Sequence, residues 1–323
     1  GMGPVGIGTA AVLAGGAIVK LGLDYEESFA KIGAITNASQ QQVGQWKDQV
    51  LTLSGETAQA PKDLADGLYF LASAGLDAAE IMPTLEASAR AAAIGMGEMG
   101  DLTRIAANVI NAFPEAGLKA ADVFDTLTAA VREGTAEPNE FADALGRILP
   151  IATKAGVEFD EVAASLSTLS NIGLDVNEGV TAMRGLMQSL FAPTAKARDV
   201  MDELGISADQ LRSMLAEKGL ISTLRFLEER TGGNIDKMQA LVPNIRALTG
   251  AFGLTAQEAK KVDEIFRQVA QSTGDLDSAF KKTEKGEGFQ MRKALNEIRV
   301  EATRAGEDAL PILADAVQLL GDV

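Results

Sequence analysis

The stretch Leu64-Ala-Asp-Gly-Leu-Tyr-Phe-Leu-Ala-Ser-Ala-Gly-Leu-Asp-Ala-Ala-Glu80 closes one helix, reverses the chain and opens another. Leu64, Leu68, Leu71 and Ala72 fall on one helical stripe. Gly75 stands where a helix takes a left-handed residue just past its end, and Leu76 follows as the apolar residue of a Schellman ending. Asp77 is placed as the next N-cap, with Glu80 three residues on to complete a capping box.

The device recurs at Gly156-Val157-Glu158-Phe159-Asp160-Glu161, Gly173-Leu174-Asp175-Val176-Asn177-Glu178, Gly205-Ile206-Ser207-Ala208-Asp209-Gln210 and Gly253-Leu254-Thr255-Ala256-Gln257-Glu258. Gly75, Gly156, Gly173, Gly205 and Gly253 are thus the expected structural turns. Glu158 is the weakest cap, because its longer side chain reaches the N3 amide poorly. Gly117-Leu118-Lys119 is a copy without the cap. The copies are irregularly spaced, so they are a reused local device rather than a solenoid repeat.

Composition narrows the function classes. Hydrophobic residues make up 46% of the 323-residue chain but aromatics only 5%, so the expected core is thin, with helices approaching over Ala and Gly. A formal net charge of −16 argues against a direct nucleic-acid site, which needs clustered Lys and Arg. With no Cys and no His, disulfides, thiolate or imidazole metal sites and His-dependent triads are excluded. Gly1-Met2 reads as a remnant of tag cleavage. The apolar run Ala316 to Val323 has no closing signal, so the expectation is a piece of a longer protein.

Along the chain, Val5 to Leu23 is the one membrane candidate. Lys20 interrupts it and six glycines from Gly3 to Gly22 dilute its large side chains, so a small-residue packing helix running on through Tyr25, Phe29 and Ile32 is the plainer reading. Ser39 to Gln42 opens a helix carrying Val43, Trp46, Val50 and Leu53. Pro61 suits a first helical turn, and Pro83 predicts some kink. Further apolar stripes recur through Ile105, Val109, Phe141, Leu145 and Ile148, and no segment alternates with period two over strand length. The fold class is all-α, an irregular array of short helices joined by Gly-centred turns. The expected division is 1–54 as a Gly/Ala-rich helical segment, 55–272 as a compact core, 273–288 as a linker and 289–323 as the start of a long helix. The linker assignment rests on the apolar-free Lys281-Lys-Thr-Glu-Lys-Gly-Glu-Gly288.

Three patterns bear on chemistry. Gly95-Met-Gly-Glu-Met-Gly100 matches G-x-G-x-x-G, but the motif holds a dinucleotide only between strand and helix, and here it follows a helical run; a flexible turn is expected and no cofactor. The carboxylate pairs Glu26-Glu27, Asp160-Glu161 and Glu228-Glu229 are helix neighbours pointing in different directions, whereas glycoside hydrolysis needs two carboxyls facing across a cleft. Met183, Met187 and Met201 lie near helical spacing, where a partner groove is conceivable and core packing is the expected role. The residues alone describe an acidic, all-helical, non-catalytic interaction or structural protein, with no catalytic, cofactor or metal residues assigned.

The order of motifs goes further. Leu68-Tyr-Phe-Leu-Ala-Ser-Ala-Gly75 resembles the "LA-x-AG" turn of phage tail tape measure proteins, and Ala121-Asp-Val123 is similar to their "ADV". Phe141-Ala-Asp-Ala-Leu145, Ile151-Ala-Thr-Lys-Ala-Gly156, Glu161-Val-Ala-Ala164 and Leu169-Ser-Asn-Ile-Gly173 follow in the family's order. Gly179-Val-Thr-Ala-Met-Arg184 resembles its "G-T-x-L-R" element, departing in spacing and in carrying Met for Leu. Leu190-Phe-Ala-Pro193 and Leu204-Gly-Ile206 complete a resemblance covering about residues 20 to 255, with Leu310-Pro-Ile-Leu313 similar to the helix that usually follows.

The resemblance implies a structural protein that helps set tail length and occupies the tail lumen, in the virion after assembly in the bacterial host cytoplasm. Implied partners are tail tube, tail-tip or baseplate proteins and a tail assembly chaperone, together with further copies of the chain as a homo-oligomer. A membrane contact would run through Val5–Leu23. A ruler works because helical length is proportional to residue number, and short helices folded back by glycine turns are a module rather than the ruler. Two alternatives belong to other classes: a membrane-active helical protein acting in DNA ejection, and part of a cell-wall-degrading tail enzyme, for which Glu161 and Glu178 are the carboxylates to test.

Overall fold

A computed structural model describes residues 4–36, 38–256 and 259–321. Its helices are α1 (Pro4–Ile35), α2 (Gln40–Thr57), α3 (Pro61–Ser73), α4 (Ala78–Ala93), α5 (Met99–Ala112), α6 (Ala120–Glu133), α7 (Pro138–Ala155), α8 (Phe159–Ser170), α9 (Val176–Phe191), α10 (Ala195–Glu203), α11 (Ala208–Thr231), α12 (Ile235–Leu241), α13 (Ile245–Ala256), α14 (Ala259–Ala270), α15 (Asp275–Thr283) and α16 (Glu287–Gly321). Among the described residues there is no strand, so the fold is all-α.

Contacts group the chain differently from the four segments expected of it. One unit holds the residues up to Arg104 together with those from Phe280 onward; the other runs from Ile105 to Ala279. The stretch expected as a linker is mostly helical, α15 leading through a short turn into α16. Phe280 and Phe289 flank that turn and stack edge to face, centroids 5.8 Å apart, over Ala93, Ala58 and Ile94. The polar residues between them form the outside of a helix corner, which a composition scan reads as a boundary.

In the first unit, α1 packs on α2, α3 and α16. Tyr25, Phe29 and Ile32 are buried with Trp46, Leu64, Leu68 and Leu71, as the packing-helix reading of α1 expects. The side chains of residues 4–14 lie outside the described residues. Among the described residues no helix is long and apolar enough to cross a membrane. Helices α1 and α16 meet backbone to backbone: a Cβ on Gly22 would stand 2.3 Å from the Gly306 carbonyl carbon, and one on Gly306 2.3 Å from the Ile18 carbonyl oxygen.

The second unit surrounds α8. Val162 through Ser170 are buried without interruption, with α6, α7, α9, α13 and α14 packed around them. So many small residues in one helix let neighbours approach closely, as the low aromatic content predicts. Between α9 and α13, for example, a Cβ on Gly185 would fall 2.8 Å from that of Ala247, and one on Gly250 2.8 Å from that of Ala182.

Candidate functional site

The turn residues come first, since the sequence singles them out. Gly75, Gly156, Gly173 and Gly205 have φ of +81°, +75°, +88° and +66°, a region open to glycine and costly for side chains. Three show the full Schellman pairing, in which the amide after glycine reaches back five residues: Val157 to Ala152 (3.0 Å), Leu174 to Leu169 (3.2 Å) and Ile206 to Met201 (2.8 Å). Asp175 and Ser207 accept from the Glu178 and Gln210 amides. Glu158, the weak cap, makes no side-chain cap bond.

Two turn assignments need correction. Asp77 is the N-cap of α4, yet its side chain makes no cap bond, so the capping box with Glu80 is not formed. Gly253 is no turn: it lies inside α13, where a Cβ would meet Ile172 Cδ1 at 2.3 Å and Leu169 Cδ2 at 3.1 Å. It is there because the helix needs a missing side chain against α8, not a left-handed bend. Thr255, the expected N-cap, lies within α13 with its hydroxyl donating to the Ala251 carbonyl (3.1 Å), and Gln257 and Glu258 lie outside the described residues.

Gly95 to Gly100 is a further Schellman turn. Met96 donates to the Ala91 carbonyl (3.1 Å) and Gly95 to that of Ala92 (3.0 Å), while Met96 and Met99 are buried. With helix on both sides, the Gly95 and Met96 amides close α4, and the strand that a dinucleotide motif follows is absent here.

The carboxylate pairs separate. Glu27 pairs with Lys31 at 3.0 Å and Glu26 with Lys47 at 2.5 Å. The Glu228 and Glu229 carbonyls receive the amides of Gly233 and Gly232 at the end of α11. Asp160 accepts from the Glu161 amide at 2.8 Å, while Glu161 reaches away to α11. Glu178 is exposed at the start of α9. Met183, Met187 and Met201 are all buried, so they are core and not a partner groove.

Three polar side chains organise the units; of these the sequence names only Glu161, as a carboxylate to test and not as a cap. Glu161 Oε1 accepts from the amides of Leu220 (2.6 Å) and Ile221 (3.3 Å). This caps the second half of α11, which breaks at Gly219 with φ 81° and ψ 178°. Burial is the main reason its carboxyl is pushed up to about 7; Asp160 and Glu158 add to the rise and the two amides oppose it. Asp125, buried on α6, caps α15 through the amides of Gly274 (2.7 Å) and Leu276 (2.8 Å). Its carboxyl is raised, again chiefly by burial and against the pull of those amides. Asn296, buried on α16, donates to the Ser54 carbonyl (2.7 Å), Ser54 Oγ (2.8 Å) and the Gln59 carbonyl (2.8 Å). These are capping and locking interactions.

Among the described residues α16 carries an exposed apolar stripe. Met291, Leu295, Ile298 and Ile312 are exposed on α16 at heptad-compatible spacing, on the side away from the buried Phe289, Asn296, Val300 and Thr303.

Sequence comparison places these features among tail proteins. A family profile described as phage-related minor tail protein matches residues 47–253. The tape measure protein of Pneumococcus phage Dp-1 is 24% identical over 265 residues, covering 80% of this chain and 23% of that protein. The probable tape measure protein of Escherichia phage P2 is 24% identical over 208 residues, covering 64% of this chain and 26% of that one. The chain therefore spans about a quarter of the length of the curated relatives it matches. No solved structure matches.

Proposed function

This chain belongs to the phage-related minor tail protein family, and from that premise we propose that it is a folded module of a tape measure protein, structural rather than catalytic. The observation that carries this reading is the match of both relatives together with a chain repeatedly reversed by left-handed glycines. At about 1.5 Å per residue a ruler gains length from unbroken helix. Here the longest helix, α16, has 35 residues, and most others are less than half that. Length measurement then falls to parts of the relatives beyond the matched region, and this module anchors the ruler.

Its proposed setting is the tail lumen of the virion, after assembly in the host cytoplasm. The proposed contacts are tail tube, tail-tip or baseplate proteins or an assembly chaperone, and other copies of the chain. The exposed stripe of α16 supports self-association, since apolar residues at that spacing pack between helices in coiled coils. Carboxylates outnumber basic residues 45 to 29, which supports a role without direct DNA contact.

The test is tail length by negative-stain microscopy in a phage carrying the chain. Deletions in the long helical part of the same protein should shorten tails in proportion to residues removed. Destabilising substitutions in residues 47–253 should lower the number of tails and leave the length of those formed unchanged. Tails whose length follows deletions within the module would overturn the division.

A further inference from the structure

We infer that the groove between α2 and α4 is a docking site for a cationic amphipathic helix of a partner protein. The α2 wall is built from one helical stripe. Gln42, Trp46, Gln49, Leu53 and Glu56 follow one another at intervals of four and three residues, and all of them line a groove of about 780 Å³. From the first to the last the stripe runs roughly 21 Å at 1.5 Å per residue, the length of about four helical turns. Across from it α4 supplies Met82, Pro83 and Glu86. Helices α2 and α4 pack against each other, and a furrow between two packed helices is what a third helix fills in helix-in-groove recognition.

The chemistry of the walls selects the occupant. The apolar surface of the groove lies on its α4 wall, where Ala78, Ala79 and Pro83 are exposed and Met82 is half-buried, while Trp46 and Leu53 are buried at the base. The rim is acidic: Asp48, Glu56 and Glu86 line the groove, and no Lys or Arg does. Glu86 is paired with Arg90 at 2.7 Å. Asp48 and Glu56 are exposed and have no ion-pair partner among the described residues. Pro83 adds an acceptor, because it has no N–H to give to the carbonyl of Ala79, which lines the same wall. An apolar wall with uncompensated carboxylates and a carbonyl lacking its helical donor complements a helix with an aliphatic stripe flanked by Lys or Arg. It repels an acidic helix, and like-charge repulsion of this kind is how such surfaces reject wrong partners.

Trp46 makes the proposal measurable, since it is the one tryptophan of the chain and sits at the base of the groove. Two synthetic helical peptides share one leucine stripe and differ in flanking residues, Lys in one and Glu in the other. Each is titrated into the full chain while Trp46 emission is followed. The Lys peptide should give a saturable change with at least tenfold tighter binding than the Glu peptide, weakening as salt is raised. The double substitution Asp48→Lys and Glu56→Lys lies at exposed positions and should abolish that preference with the circular-dichroism spectrum unchanged. Glu229→Lys, an exposed charge reversal in the other unit, should leave it intact. Equal affinity for the two peptides, no saturable change with either, preference for the Glu peptide or equal weakening by Glu229→Lys would each overturn the proposal. None of these results bears on the tail assignment, which rests on the comparisons and on tail length.

Discussion

Glu161→Gln and Glu161→Ala perturb the broken helix α11 in opposite ways. Glutamine keeps an acceptor for the Leu220 and Ile221 amides and removes the charge; alanine removes both. Because burial raises the carboxyl from 4.5 to about 7, the folded chain retains this proton where the unfolded chain has released it. The stability so supplied is complete below pH 4.5, declines as pH rises through the window and is gone above about 7. At about 1.36 kcal/mol per factor of ten the swing has a ceiling of about 3 kcal/mol, and solvent reaching the carboxylate lowers it toward roughly 1–2 kcal/mol. Glu161→Gln should therefore match the parent near pH 5 and exceed it at pH 8. Glu161→Ala leaves two amides without an acceptor and should lose about 1–3 kcal/mol across the range. Urea denaturation followed by far-UV circular dichroism from pH 5 to 8 gives the stabilities, and hydrogen exchange at the Leu220 and Ile221 amides localises the effect. Parallel pH profiles for the parent and Glu161→Gln, or an alanine variant as stable as the glutamine one, would refute the capping argument.

Gly22→Leu drives a side chain into the Gly306 backbone, which stands 2.3 Å from the position of a Cβ. A loss of about 3 kcal/mol or more is expected in denaturation followed by Trp46 fluorescence, which reports the unit that holds the α1–α16 crossing. Asn296→Leu strips the Ser54 and Gln59 carbonyls of their shared donor; the same fluorescence assay should show a loss of about 1–3 kcal/mol. Gly173→Ala meets no atom within 4 Å but must hold φ +88°, so calorimetry should register about 1–2 kcal/mol from backbone strain alone. Gly253→Ala has helical backbone and instead displaces the end of Ile172, so its loss should be relieved by Ile172→Val, whereas that of Gly173→Ala should not.

Most of the short-range architecture was legible in the chain. Helix ends are decided by a few consecutive residues, so Gly75, Gly156, Gly173 and Gly205 could be read as left-handed stops. The Gly95 turn carried the same signal, glycine then an apolar residue after a helix, obscured by its likeness to a nucleotide motif. The Gly219 break lacks such a signal, because its cap, Glu161, lies 59 residues away. The Asp125 cap and the Asn296 lock reach 149 and 242 residues, beyond any pattern confined to one helix.

The sequence by itself determined the all-helical class, the glycine stops and a core built on small side chains, since each follows from local conformational preference and composition. Tertiary structure alone decided that Gly253 is a packing residue, that the charged stretch at 281–288 is a corner and that α16 returns to α1. Those outcomes depend on which surfaces meet: a glycine serves equally as a bend or as a close approach, and only the neighbouring helix determines which.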